Sequence, residues 1–68
     1  MQISIEEEAL IKIFKFLNFD KSTAIGIVLL LNEDEKGPQR MIEFLKKSNP
    51  VDLTEPVVLR EAIRIIKK

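Results

Sequence analysis

The sequence predicts an all-α fold, a compact bundle of four short helices. Apolar residues recur with a helical period in three stretches, and residues that favour helix N-termini precede the predicted helices. A fourth stretch, residues 24–31, is an apolar run with no second strand-like run to pair with. Because a lone strand leaves its backbone groups without partners, a helix is the better interpretation of this run as well. The 68 residues form one predicted domain, residues 1–68.

The first helix is predicted over residues 5–18. Ser4 followed by Glu7 has the spacing of a capping box, in which each residue satisfies a backbone N–H of the other. One half of the helical wheel is apolar: Ile5, Ala9, Leu10, Ile13, Phe14, Phe16 and Leu17. Ile11 departs from this pattern, because it falls between Lys15 and Asn18 on the polar half. It is either an isolated surface side chain or part of a contact with another chain.

The second helix is predicted over residues 21–31, with Asp20 as its N-cap and Phe19 and Ala24 as a hydrophobic staple. Only a narrow polar or small arc interrupts its apolar surface: Ser22, Thr23 and Gly26. A helix that is apolar on nearly all sides is a buried one, so we expect it at the centre of the bundle. Gly26 lowers helix stability by about 1 kcal/mol relative to Ala. We therefore expect a neighbouring backbone to approach closely at the side formed by Ser22 and Gly26.

The third and fourth helices are predicted over residues 38–47 and 55–67. Pro38 suits a first helical turn, and the polar residues 48–50 end the third helix. Thr54 is the predicted N-cap of the fourth helix. The apolar face of the third helix contains Met41, Ile42, Phe44 and Leu45. That of the fourth contains Val58, Leu59, Ala62, Ile63, Ile65 and Ile66.

The composition argues against catalysis. The chain has no His, Cys, Tyr or Trp, so the commonest general base, the thiol nucleophile and the phenol are all missing. Asn32, Asp34, Lys36 and Glu43 follow the register of a calcium-binding EF-hand loop, but a cationic Lys cannot be a ligand and Pro38 disrupts the loop. We expect no enzymatic activity, no metal, no cofactor and no small-molecule substrate.

The sequence also bears on location. The acidic stretch at residues 6–8 is unlike the basic region of a signal peptide. The apolar run is eight residues long, whereas a helix that spans a bilayer needs about 20. We expect a cytoplasmic protein that does not enter a membrane.

Protein–protein contact is the predicted function, and a homodimer is one form of it. The supporting features are the wholly apolar second helix, the displaced Ile11 and a core that is small for independent stability. The candidate interface residues are Ile11 and Gly26.

The alternative is DNA binding by a helix-turn-helix arrangement of the second and third helices. The candidate contact residues are exposed cations and amides of the third and fourth helices: Gln39, Arg40, Lys46, Lys47, Arg60 and Arg64. Two observations weigh against nucleic acid as a partner. The formal net charge is zero, and the link between the two helices carries three carboxylates that repel phosphate.

Overall fold

Four α-helices make up the computed structural model, which describes residues 4–67: α1 (Ile5–Phe16), α2 (Lys21–Leu31), α3 (Gly37–Lys47) and α4 (Glu55–Lys67). No strand occurs within these residues, and the prediction of an all-α bundle is confirmed. A short 3₁₀ helix, Pro50–Asp52, lies between α3 and α4 and was not predicted. The Asn49 side chain caps it by accepting a hydrogen bond from the Val51 N–H at 3.1 Å.

The start of α1 is held by the predicted capping box. The Glu7 N–H donates to Ser4 Oγ at 3.1 Å, and the Ser4 N–H donates to Glu7 Oε1 at 3.0 Å. Both bonds satisfy backbone donors that the first helical turn would otherwise leave without partners.

The end of α1 lies two residues before the predicted one. Asn18 adopts a left-handed conformation with φ of 64°, which an amide side chain tolerates better than most others do. The Phe19 N–H then donates to the Phe14 carbonyl at 3.0 Å. The two phenyl rings stack with their centres 5.3 Å apart. This is a Schellman motif with its usual hydrophobic contact, and it reverses the chain into α2.

The second helix begins at the predicted residue. Its N-cap, Asp20, accepts a hydrogen bond from the Ser22 N–H at 3.1 Å. The helix packs against each of the other three helices, and its buried side chains are Ala24, Ile27, Val28 and Leu31.

The predicted central position of α2 is confirmed by its contacts with the other three helices, but the helix is not buried on all sides. Ile25 keeps 42% and Leu29 keeps 61% of its surface exposed. Three short helices cover only part of the circumference of a fourth, because the surface-to-volume ratio of so small a domain is high. An apolar strip of α2 therefore remains in contact with solvent.

The close backbone approach lies at a different glycine from the one predicted. A Cβ atom at Gly26 would have no neighbour within 4 Å, so no helix approaches α2 at that point. A Cβ atom at Gly37 would instead overlap the carbonyl group of Leu31. Gly37 is buried at the first turn of α3, and its N–H donates to the Asp34 carbonyl at 2.9 Å. The tight turn between α2 and α3 thus requires glycine at position 37.

One hydrophobic core joins all four helices and the residue that follows the 3₁₀ helix. Its buried side chains are Leu10, Phe14, Ala24, Ile27, Val28, Leu31, Met41, Leu45, Leu53, Val58, Ala62 and Ile65. On α4 the predicted apolar face is wider than the buried one, because Leu59 and Ile63 remain exposed. The starts of α2 and α4 lie side by side, and the Asp20 N–H donates to Glu55 Oε2 at 2.7 Å.

The two glycines should respond to alanine in opposite directions. We expect Gly37→Ala to lower the free energy of unfolding by about 1–3 kcal/mol, because the new methyl group overlaps a buried carbonyl. Gly26→Ala is the matched control and should raise it by about 0.5–1 kcal/mol, since its methyl group enters open space in a helix interior. Urea unfolding followed by circular dichroism measures both. A Gly37→Ala protein as stable as the wild type would contradict the assigned turn.

Candidate protein-interaction surface

The first two helices form an antiparallel hairpin. Four residues, 17–20, connect them. At the opposite end, the side-chain amide of Asn32, which follows α2, donates a hydrogen bond to the Glu7 carboxylate in the first turn of α1. The two helices are therefore joined at both ends and present one continuous face.

A groove of about 560 Å³ runs between these helices near the chain reversal. We call it the α1–α2 groove. Its apolar lining consists of Ile11, Phe19, Ala24 and Ile25, and its polar lining consists of Lys15, Asn18 and Lys21.

Ile11 lies in this groove, although the helical wheel assigned it to the polar half of α1. It is half-buried and packs against the core. Lys15 and Asn18, the polar neighbours that the wheel gave it, line the same groove. An isoleucine occurs among polar residues at this point of α1 because this side of the helix borders the groove with α2.

The other predicted interface residue, Gly26, is exposed on α2 and does not line the groove. Sequence reasoning missed Ile25 and Leu29, the two large apolar side chains of α2 that are exposed. A run that is apolar on every side does not reveal which side the rest of the chain leaves uncovered. The only available signal was that the apolar surface of α2 exceeds what three short helices can cover.

The face of the hairpin carries opposite charges at its two ends. Near the chain reversal, the exposed Lys15 and Lys21 form no ion pair with any residue in the range 4–67. At the other end lie Glu7 and Glu8. Glu8 pairs with Lys12 at 3.4 Å, but both side chains are more than half exposed, so this ion pair contributes little stability.

Glu8, Ile11 and Lys15 follow one another at three- and four-residue spacing along α1. Lys21, Ile25 and Leu29 follow at four-residue spacing along α2. Residues at these spacings share a helix face. We call these two rows together the α1–α2 surface. Each row has an apolar residue at its centre, Ile11 on α1 and Ile25 on α2, and both of these residues line the groove.

Two further depressions occur on the described part of the chain. One, of about 320 Å³, is polar and is lined by Ser4, Glu6, Glu7, Asn32, Glu35, Pro38 and Gln39. The other, of about 180 Å³, is mainly apolar and is lined by Ile13, Phe16, Leu17, Leu45, Lys46, Pro50 and Leu53. No group of three or more acidic side chains in residues 4–67 is placed to hold a metal ion.

The candidate DNA-contacting residues are all exposed, and they are divided between α3 and α4. Gln39 and Lys46 line two different depressions. Gln39, at the start of α3, shares its depression with Glu6, Glu7 and Glu35. A recognition helix contacts bases mainly through its N-terminal residues, so these carboxylates would lie close to phosphate. The remaining candidates are Arg40 and Lys47 on α3 and Arg60 and Arg64 on α4, of which Arg64 lies 3.4 Å from the Glu61 carboxylate.

Comparison of the chain with known protein families, with curated proteins and with solved structures found no match. Within residues 4–67, every helix is too short or too polar to cross a membrane.

Glu7 gives the domain a predictable response to acid. The amide of Asn32 and the backbone N–H of Ser4 donate hydrogen bonds to its carboxylate and hold its pKa below the usual value. A pKa that is lower in the folded state contributes stability above the unfolded pKa, and this contribution is lost as the pH falls through the folded pKa.

We expect the wild type to lose stability as the pH falls below about 4.3, the ordinary glutamate pKa, and Glu7→Gln to lose less over the same range. Thermal unfolding at a series of pH values measures the difference. Glu6→Gln is the matched control, because it removes the same charge from the same turn without touching Asn32. Equal pH profiles for the wild type and Glu7→Gln would show that the bond between Glu7 and Asn32 does not form.

Proposed function

We propose that this domain acts through protein–protein contact and that the α1–α2 surface is the surface it uses. The observation that supports the proposal is the exposure of Ile25 and Leu29 beside a groove with an apolar lining. Removing apolar surface from water stabilises a complex by about 25 cal/mol per Å². Ile25 and Leu29 are not fully buried by the rest of the chain, so a partner that covers them would gain this free energy. We further propose that the domain works in the cytoplasm and has no enzymatic activity.

A protein is a better occupant of the groove than a small molecule. Small-molecule sites enclose most of the ligand and direct a few fixed polar groups at it. In the α1–α2 groove the polar groups include two exposed lysines, Lys15 and Lys21, whose long side chains are not held by other residues. No polar or charged residue in the described range is buried. An apolar strip with exposed charges at its border is typical of a protein interface, which has an apolar centre and a polar rim.

DNA binding receives less support. Gln39 shares its depression with three carboxylates, and the net charge of the chain is zero. Binding to DNA depends mainly on neutralising phosphates and is strongest at low salt. We expect that the protein will not retard a DNA duplex in a gel-shift assay at low salt. A complex that weakens steeply as salt is added would favour the DNA-binding alternative.

Site-specific photo-crosslinking tests the proposed contact. A photoreactive phenylalanine analogue replaces Leu29, whose exposure makes the substitution compatible with the fold. A second protein carries the same analogue in place of Arg60, an exposed residue of α4. On illumination of cells that express each protein, we expect a discrete protein adduct from position 29 and none of comparable yield from position 60.

A second substitution shows whether the adduct depends on the α1–α2 surface. Ile25→Glu, one helical turn from the probe, should reduce the yield about tenfold or more, because it places a charge in the apolar centre of the contact. Ile63→Glu is the matched control, because Ile63 is an isoleucine of α4 with similar exposure, 38% against 42%. It should leave the yield unchanged. The proposal is overturned if position 29 gives no adduct, or if the adduct persists when a folded Ile25→Glu protein is used.

A further inference from the structure

The charges on the α1–α2 surface restrict the kind of partner that fits it. Lys15 and Lys21 lie at the end near the chain reversal, and Glu8 lies toward the other end, with Ile11 and Ile25 between them. A surface that is positive at one end and negative at the other complements a copy of itself turned end to end.

The spacing along α1 makes this complementarity specific. Glu8 lies three residues before Ile11 and Lys15 lies four residues after it. At a rise of 1.5 Å per residue, the two charges lie about 4.5 Å and 6 Å from the level of Ile11. When two copies of α1 run in opposite directions with their Ile11 side chains at the centre, Lys15 of each copy lies opposite Glu8 of the other. The two pairs are equivalent, as a two-fold axis requires.

The second helix satisfies the same symmetry. Lys21 and Leu29 lie four residues before and four residues after Ile25, so Lys21 of one copy lies opposite Leu29 of the other. The aliphatic part of a lysine side chain covers apolar surface while its ammonium group stays in water. In a parallel arrangement, Lys15 and Lys21 would instead face the same lysines of the second copy and repel them.

We propose that the partner of the α1–α2 surface is a second copy of this chain, bound antiparallel about a two-fold axis near Ile11 and Ile25. This inference rests on the proposed function and names its partner. Glu8 lies 3.4 Å from Lys12 of its own chain, and Lys15 of the opposite copy is its second cationic neighbour. These contacts between Lys15 and Glu8 set the orientation, and the apolar centres supply the attraction.

Sedimentation equilibrium of the intact protein at low ionic strength tests the inference. We expect the wild type to associate to twice its 7.9 kDa mass at high micromolar concentration. Lys15→Glu and Glu8→Lys each replace two attractive contacts by two repulsive ones. Each should weaken the dimer about tenfold, given the modest strength of exposed ion pairs.

Mixing the two weakened proteins provides the decisive measurement. In a mixed dimer, Glu at position 15 of one chain faces Lys at position 8 of the other, and the second contact keeps its natural residues. We therefore expect the mixture to regain an affinity close to that of the wild type. Lys47→Glu and Glu43→Lys are the matched controls. They make the same two charge changes at exposed positions of α3, which lies outside the α1–α2 surface. Neither should alter the mass.

Failure of this inference can be separated from failure of the proposed function. A wild type that stays monomeric at high micromolar concentration overturns the second copy as partner, as does a dimer that ignores the charge changes. In either case, an Ile25-dependent adduct at position 29 with a different protein would still support contact through this surface. Absence of any such adduct would overturn the proposed function itself.

Discussion

The chain reversal at Asn18 is the local structure on which the rest of the hairpin depends. Its left-handed conformation allows the Phe19 N–H to reach the Phe14 carbonyl and brings the two phenyl rings into contact. The same bond that ends α1 thereby fixes the direction of α2. At the opposite end of the hairpin, the Glu7 carboxylate accepts a hydrogen bond from the Asn32 side chain. The two helices are therefore linked at both ends. The helix positions that carry the lysines and the glutamate of the α1–α2 surface keep their relative places because both ends of the hairpin are held.

The positions of the four α-helices could be predicted because the signals are local. Ser4 and Asp20 act as N-caps through hydrogen bonds to residues two or three positions away, and such bonds form independently of the rest of the fold. The end of α1 was predicted two residues too late because the apolar pattern continues through Leu17. The pattern of apolar residues contains no sign that Asn18 adopts a left-handed conformation. The 3₁₀ helix at Pro50–Asp52 was missed for a related reason, since three residues are too few to show any period.

Burial was harder to predict because it depends on contacts between distant parts of the chain. The sequence shows that α2 is apolar, but only the packing of the other helices decides that Ala24 is covered and Leu29 is not. The two glycines illustrate the same limit. Gly26 interrupts an apolar helix, so a close backbone approach was predicted there. Gly37 looks in the sequence like an ordinary loop residue. The turn geometry gives the opposite result, because the backbone of Leu31 lies against Gly37 and nothing lies against Gly26.

The small size of the domain connects its stability to its proposed function. A chain of 68 residues that contains no cysteine cannot form a disulfide, and its described residues share one modest core. Covering α2 completely would require a further helix, which residues 4–67 do not supply. In the proposed dimer, α1 and α2 of one copy would cover the exposed strip of α2 in the other copy. Association would then stabilise the fold and the assembly together, because a partner that binds only the folded state shifts the folding equilibrium toward it. In the proposed dimer, the exposed strip of α2 is the part of the core that binding would complete.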